Sequence, residues 1–282
     1  TTDAAGVVYV TGRTKSAVLP TTNPGLPATF YGTHANTFRY DAFILRFNTS
    51  TACTWATYYG GGMDDWGSDI VTDRLGNLYV LLSTTSGNVP VQNLGGAYNQ
   101  ATFAASGWSS PVILKFDAAT AARSWATYYS GKFENYGNSI TVDWCNNVYI
   151  TGWTLADNFP LQNLAGAYNQ SQINGVVLGA ARSDAYIVKF NSSGVRLWGT
   201  YFGGEEDEFG YDITSDRCGN IYIGGKTRSA SLPVQNNVGF FDGTYFGAAG
   251  FDPADAFMAR FTVGGARVWA TYYGGVDEDW VT

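Results

Sequence analysis

The sequence predicts an all-β protein and, within that class, a β-propeller of four blades with four antiparallel strands each. Three observations predict it. An aromatic strand phrase, followed by small residues and then acids, starts at Trp55, Trp125, Trp198 and Trp269. A second phrase, Asp-x-x-(Gly/Asn)-x-x-Tyr, opens at Asp3, Asp73, Asp143 and Asp216. The Asp series steps by 70, 70 and 73 residues and the Trp series by 70, 73 and 71, so the chain is four copies of one unit. Third, no segment sustains a 3.6-residue apolar period, and the helix-like AATAAR at 118–123 is too short to stand alone.

Each unit reads as four strands. The first precedes the Asp, as in SDIVTD (68–73), NSITVD (138–143) and YDITSD (211–216). The second follows the turn: VVYVTGRT, NLYVLLST, NVYITGWT and NIYIGGKT. The third is DAFILRF (41–47), PVILKF (111–116), DAYIVKF (184–190) and DAFMARF (255–261). The fourth carries the Trp phrase, as in VRLWGTYFG at 195–203. These runs are β-branched and aromatic, bounded by Gly, Asn and Asp. The Asp of the turn reads as structural, because an Asp carboxylate accepts backbone N–H bonds and Gly or Asn tolerates positive φ.

A lone blade cannot bury both faces; stacked neighbours can. Trp55, Tyr59 and their copies alternate along the fourth strand, share one face and are expected between blades. Blade boundaries are expected at about 1–61 plus 276–282, then 62–131, 132–204 and 205–275, in one domain spanning 1–282. The first blade lacks the start of its first strand, and the last copy, VDEDWVT, supplies it, so the two terminal segments are expected to pair and close the ring. A longer array with more blades is the alternative.

The formal net charge is −7 with a pI near 4.6, and only 14% of residues are charged. A nucleic-acid partner needs a basic face, which this composition does not offer. Three Cys (Cys53, Cys145, Cys218) form no disulfide framework, and no apolar run approaches a membrane span of about 18 residues. His34 is the only His, which removes most triads and His-metal sites. No Gly-rich phosphate loop opens a helix.

The ordered string Asp-x-x-Gly-Asn-x-Tyr-(Val/Ile)-x-Gly-x-Thr, a Pro phrase, Asp-Ala-Phe-x-x-(Lys/Arg)-Phe and Trp-x-Thr-Tyr-Tyr-Gly-Gly resembles the bacterial SBBP β-propeller repeat, over essentially the whole chain. Copy two departs from it with Leu82 in place of Gly and Ser110-Pro111 in place of Asp-Ala. The resemblance implies a propeller in a secreted or surface-attached bacterial protein, and no established catalytic activity.

Strand alternation puts the loops after strand four on the same face as the long loops between strands two and three. Asp64, Glu134, Asp207 and Glu278 are equivalent acids there, followed by Asp65, Asn135, Glu208 and Asp279. Such carboxylates either take up backbone N–H bonds at a turn or gather around a hard cation such as Ca²⁺. The spacing matches no EF-hand pattern. Arg46, Lys115, Lys189 and Arg260 recur in strand three, either paired with a carboxylate or on a solvated face. The long loops run about 25–29 residues, and loops of that length on a rigid scaffold carry binding. Trp108 and Trp153 fall outside the repeat pattern and are candidate sugar-stacking platforms, with Trp66 and Trp280 beside the acids as further candidates. The expected function is a non-catalytic extracellular module, binding a glycan, a protein or an adjoining domain on the acidic long-loop face. The alternatives are an architectural repeat of a surface layer, filament or adhesin, and a carbohydrate-active enzyme.

Overall fold

A computed structural model describes residues 1–19, 38–102, 108–174, 182–235, 244–246, 254–275 and 277–281. His34 lies outside them. Among the described residues there are fifteen strands and no helix. Among the described residues, no helix is long and apolar enough to cross a membrane.

The strands form four antiparallel sheets. The first holds β1 (Val8–Thr14), β2 (Asp41–Phe47) and β3 (Cys53–Tyr59). The second holds β4 (Asp65–Thr72), β5 (Asn77–Thr84), β6 (Ser110–Asp117) and β7 (Arg123–Tyr128). The third holds β8 (Asn135–Val142), β9 (Val148–Thr154), β10 (Asp184–Phe190) and β11 (Arg196–Phe202), and the fourth β12 (Glu208–Ser215), β13 (Ile221–Thr227), β14 (Asp255–Phe261) and β15 (Arg267–Tyr273). In each sheet, strands neighbouring in sequence are neighbours in space, the meander of a propeller blade.

The first sheet departs from the expected four strands. Its first strand is reduced to Thr1 and Thr2, which bridge back to Val8 and Tyr9, and residues 277–281 form no strand. The chain divides into two compact units, Thr1–Ser130 with Ser193–Val195, and Gly131–Ser192 with Arg196–Thr282. The first unit contains the first two sheets, the second the last two.

The same chemistry builds every sheet. In the turn before strand two, Asp73 Oδ1 accepts the N–H groups of Leu75 and Asn77, while Oδ2 accepts Asn77 Nδ2 at 2.7 Å and the Tyr79 hydroxyl at 3.3 Å. Asp143 and Asp216 repeat all four bonds, and Asp3 repeats those to the backbone and to Tyr9. The turn Asp is structural, as its chemistry predicts. The basic residue of strand three is neither solvated nor simply paired with a carboxylate. Lys115, Lys189 and Arg260 lie 5.6, 5.3 and 5.9 Å from the rings of Tyr79, Tyr149 and Tyr222, directly across the ladder. Each cation therefore sits on a ring whose hydroxyl is already bonded to the turn Asp, which ties it to that carboxylate through the aromatic face.

Sheets within a unit meet through the Trp phrase. Trp55 lies 5.6 Å from Phe116, and Tyr59 meets the same ring edge-on at 6.3 Å. In the second unit Trp198 lies 5.7 Å from Phe261, and Phe202 packs on Phe257 and Phe261. Trp125 and Trp198 also donate their indole N–H to the carbonyls of Tyr98 and Tyr168 in their own sheets' long loops. Backbones approach closely at Gly67: a Cβ there would sit 1.9 Å from Thr11 Oγ1. Gly210 is equally crowded against Thr151 and Gly152 in the second unit.

Candidate binding face

The described parts of the long loops are fastened down. In NLGGAYNQ, Asn99 donates to the carbonyls of Leu94 and Ala97 and accepts from Leu94 N, and Gly96 takes φ 78° to make the turn. Asn169 and Gly166 repeat this in NLAGAYNQ. Arg123, Arg196 and Arg267 hold the carbonyls of Pro90, Pro160 and Pro233, fixing the Pro phrase to strand four. Cys53 occupies that position in the first sheet. These phrases are latches that hold the loop bases.

The acids split into two sets because consecutive strand residues point to opposite sides. The outer set is engaged at the surface. Asp64 accepts the Tyr40 N–H and Arg39 Nη1, both at 2.9 Å; burial raises its pKa, but these bonds bring the carboxyl below its usual range. Asp207 accepts Ser183 N and Oγ and pairs with Arg228 and Arg182. Glu278 pairs with Lys226. Burial raises Glu134, against a bond from Tyr136.

The inner set is buried at Asp65 and Glu208 and half-buried at Asp279. Asp65 accepts Gly61 N and the hydroxyls of Thr84 and Ser86. Glu208 accepts Gly204 N at 2.7 Å and the Thr227 hydroxyl at 2.6 Å. Asp279 accepts Gly275 N. In each case the carboxylate closes the turn that leads into it. Among the described residues, no three His, Cys, Asp or Glu side chains gather as ligands for one ion.

The structure separates the four candidate Trp residues. Trp108 is 48% exposed, just after undescribed loop residues, and Trp280 is 54% exposed in the C-terminal segment. Trp66 is half-buried in β4, across from Ser83. Trp153 has aromatic company in the second unit. It stacks on Tyr136 with ring centroids 4.7 Å apart and 23° between planes, and Phe209 meets it edge-on at 5.3 Å. Phe209 in turn stacks on Tyr211 at 6.3 Å. All four rings are half-buried. The Lys226–Glu278 ion pair borders the strip, since Lys226 lies across from Phe209. Tyr136 and Phe209 were not singled out from sequence, yet the signal was present: the residue after the inner acid is aromatic in every copy, as Trp66, Tyr136, Phe209 and Trp280.

The matches to known families follow this same architecture. The SBBP beta-propeller repeat matches residues 54–88, 125–160 and 197–233. Three stretches of the chain therefore read as SBBP beta-propeller repeats. Each matched segment begins with the Trp strand of one sheet and takes in the first two strands of the next; the first ends two residues before Pro90, the others at Pro160 and Pro233. Each matched segment thus holds the inner position, Asp65, Asn135 or Glu208, and stops where the long loop begins. No curated protein matches the chain.

Proposed function

We propose that this SBBP-repeat chain is a non-catalytic, extracellular binding module that takes carbohydrate on the Tyr136–Trp153–Phe209 strip. The observation that carries the reading is the half-buried Trp153, stacked on Tyr136 beside a hydrogen-bonding rim of Glu134, Lys226 and Glu278. Flat apolar rings next to a few polar groups are the chemistry that recognises a pyranose face and its hydroxyls. The inner acids support a non-catalytic reading, because Asp65 and Glu208 are fully buried and bonded to their own turns, out of reach of a substrate. A glycan panel read by tryptophan fluorescence and calorimetry tests this. Binding is expected for the wild type and for Trp108→Ala, and is lost in Trp153→Ala and Tyr136→Ala that melt like the wild type. Silence of the wild type across the panel sinks the carbohydrate reading.

A second, architectural reading rests on the fourth sheet. Tyr273 is 58% exposed and Trp269 half-buried, whereas their counterparts Tyr59, Phe202, Trp55 and Trp198 are buried. Met258, Trp269 and Val281 line an apolar cavity of about 140 Å³ there. Val281 lies on Gly224 much as β4 lies on Thr11 and Gly12, and Asp279 N donates to Ala254 O as Glu208 N donates to Ser183 O. Residues 279–281 thus take on the fourth sheet the place that β4 and β12 take on the first and third, which supports a further sheet packing there, as in an architectural array. Expected for an architectural repeat of a surface layer, filament or adhesin is concentration-dependent association that Trp269→Ala weakens; a wild type that is monomeric at every concentration removes this reading.

A further inference from the structure

The inner acids are not alone. Glycine separates each from a second buried acid at the start of strand three. A Cβ on Gly203 would lie 2.6 Å from Asp184 Oδ1 and 2.6 Å from Glu208 Oε2, so the two carboxyls are within about 5 Å of each other. Gly60 stands in the same relation to Asp41 and Asp65, and Gly274 to Asp255 and Asp279. Asp184 and Glu208 are both fully buried, as are Asp65 and Asp255.

The hydrogen bonds around Asp184 and Glu208 leave one gap. Asp184 Oδ2 accepts Gln170 Nε2 at 2.7 Å and Asn174 N at 3.3 Å. Glu208 has Gly204 N on Oε2 and Thr227 Oγ1 on Oε1. Asp184 Oδ1 has no partner, and neither does Asp255 Oδ1 in the fourth sheet. A buried acceptor without a donor beside a buried carboxylate is costly, and one proton removes both costs. A cation does not fit as well: three of the four carboxyl oxygens already face N–H or O–H donors, and a hard cation needs about six oxygen ligands.

The second copy supplies an internal comparison. It replaces all three members together, with Ser130 at the glycine position, Ser110 at the strand-three acid and Asn135 at the inner acid. Where the acids are absent the glycine is absent too, and Gln100 binds the Ser130 carbonyl and hydroxyl instead of a carboxylate.

We propose that Asp184 and Glu208 share a single proton, carried on Asp184 Oδ1, and that this proton is a pH-sensitive latch between the third and fourth sheets and the base of the long loop held by Gln170 and Asn174. Protonation makes an O–H bond on Asp184, and deprotonation releases H⁺ to solvent and leaves two buried anions. Burial, followed by the Glu208 charge, pushes Asp184 up to about 9, and burial pushes Glu208 up to about 7. The other groups facing the pair do not supply a counter-charge. Asp207 adds a negative charge, and its partners Arg182 and Arg228 are engaged with it. Tyr168, Tyr201, Tyr245 and Tyr272 all feel these acids, and burial raises each of them, so they stay neutral through the window.

The sign follows from linkage. The folded protein holds this proton more tightly than the unfolded chain, so the stabilisation is complete below the ordinary carboxylate range and is lost as pH rises towards about 9. Thermal melts from about pH 5.5 to about pH 9.5 in EDTA are expected to fall by several degrees as pH rises. Asp184→Asn, which keeps a donor where the proton sat, flattens that slope and outlasts the wild type at the alkaline end. An unchanged slope in Asp184→Asn overturns the latch, and so does a Ca²⁺ addition that abolishes the wild-type slope, because a cation then bridges the pair. Infrared spectra of the wild type keep the test open if the variant fails to fold. A protonated-carboxyl band persisting at about pH 7 and lost by about pH 10 supports the shared proton, and its absence at about pH 7 overturns it.

Discussion

Asp143→Asn is the sharpest test of how these sheets are built. The carboxyl is almost fully buried. Its Oδ1 accepts Cys145 N at 2.8 Å and Asn147 N at 2.9 Å, and its Oδ2 accepts Asn147 Nδ2 at 2.7 Å and the Tyr149 hydroxyl at 2.9 Å. Asparagine keeps the first pair of bonds without their charge and turns an N–H₂ towards two donors on the other side. Hydrogen bonds to a charged group contribute about 1.5–3 kcal/mol each, and the Tyr149 hydroxyl can rotate to accept. The expected cost is therefore about 2–4 kcal/mol, a large share of a total of about 5–15 kcal/mol. Adding Asn147→Asp restores the missing acceptor from the other end of the same bond. The double variant is expected to recover at least about 1 kcal/mol beyond the sum of the single changes. Urea denaturation followed by tryptophan fluorescence measures all four corners of the cycle. A cost under about 0.5 kcal/mol for Asp143→Asn, or strict additivity in the double variant, refutes the assignment of the turn as a charge-dependent latch.

Three further outcomes are expected. Trp198→Ala removes a fully buried ring packed on Phe261 and leaves the Tyr168 carbonyl without its donor, at about 3–5 kcal/mol by chemical denaturation. Gly67→Ala forces a Cβ into Thr11 and the Gly12 backbone and lowers the melting point by several degrees, whereas Gly95→Ala, with nothing within 4 Å, leaves it within about one degree. Gly203→Ser alone crowds Asp184 and Glu208 and costs about 1–3 kcal/mol, while combining it with Asp184→Ser and Glu208→Asn, the pattern of copy two, recovers most of that loss in the same melts.

The sheets were legible in the sequence because their signals are local. The Asp turn, the β-branched runs and the alternating Trp and Tyr each act within a few residues, and fourfold repetition averages out accidents in any one copy. Two features were hidden because they depend on which side of a strand a residue faces. Lys115 and Lys189 read as solvated or salt-bridged, whereas the ladder register sets each beside a Tyr, and a cation over a ring has no signature in spacing. The acid run read as one cluster, although Asp64 and Asp65 part to opposite sides and only the second meets Asp41. The aromatic strip was half visible. Trp153 stood out by breaking the repeat, while Tyr136 and Phe209 were inconspicuous because they conform to it.

That division of the acids changes what the charge of the molecule means. The formal −7 counts every carboxyl as ionised. On the shared-proton proposal, the Asp184–Glu208 pair reduces that figure by one while it keeps its proton. Burial raises Asp65 only to about 6 and Asp184 to about 9, so Asp65 loses its proton before Asp184 as pH rises. The outer acids hold arginines, lysines and backbone N–H groups at the surface, where salt screens them. On the proposal, Asp184 and Glu208, both fully buried, are insulated from salt and respond to pH instead. The SBBP match runs from the Trp strand through the inner position and ends at or just before the Pro phrase, where the long loops begin.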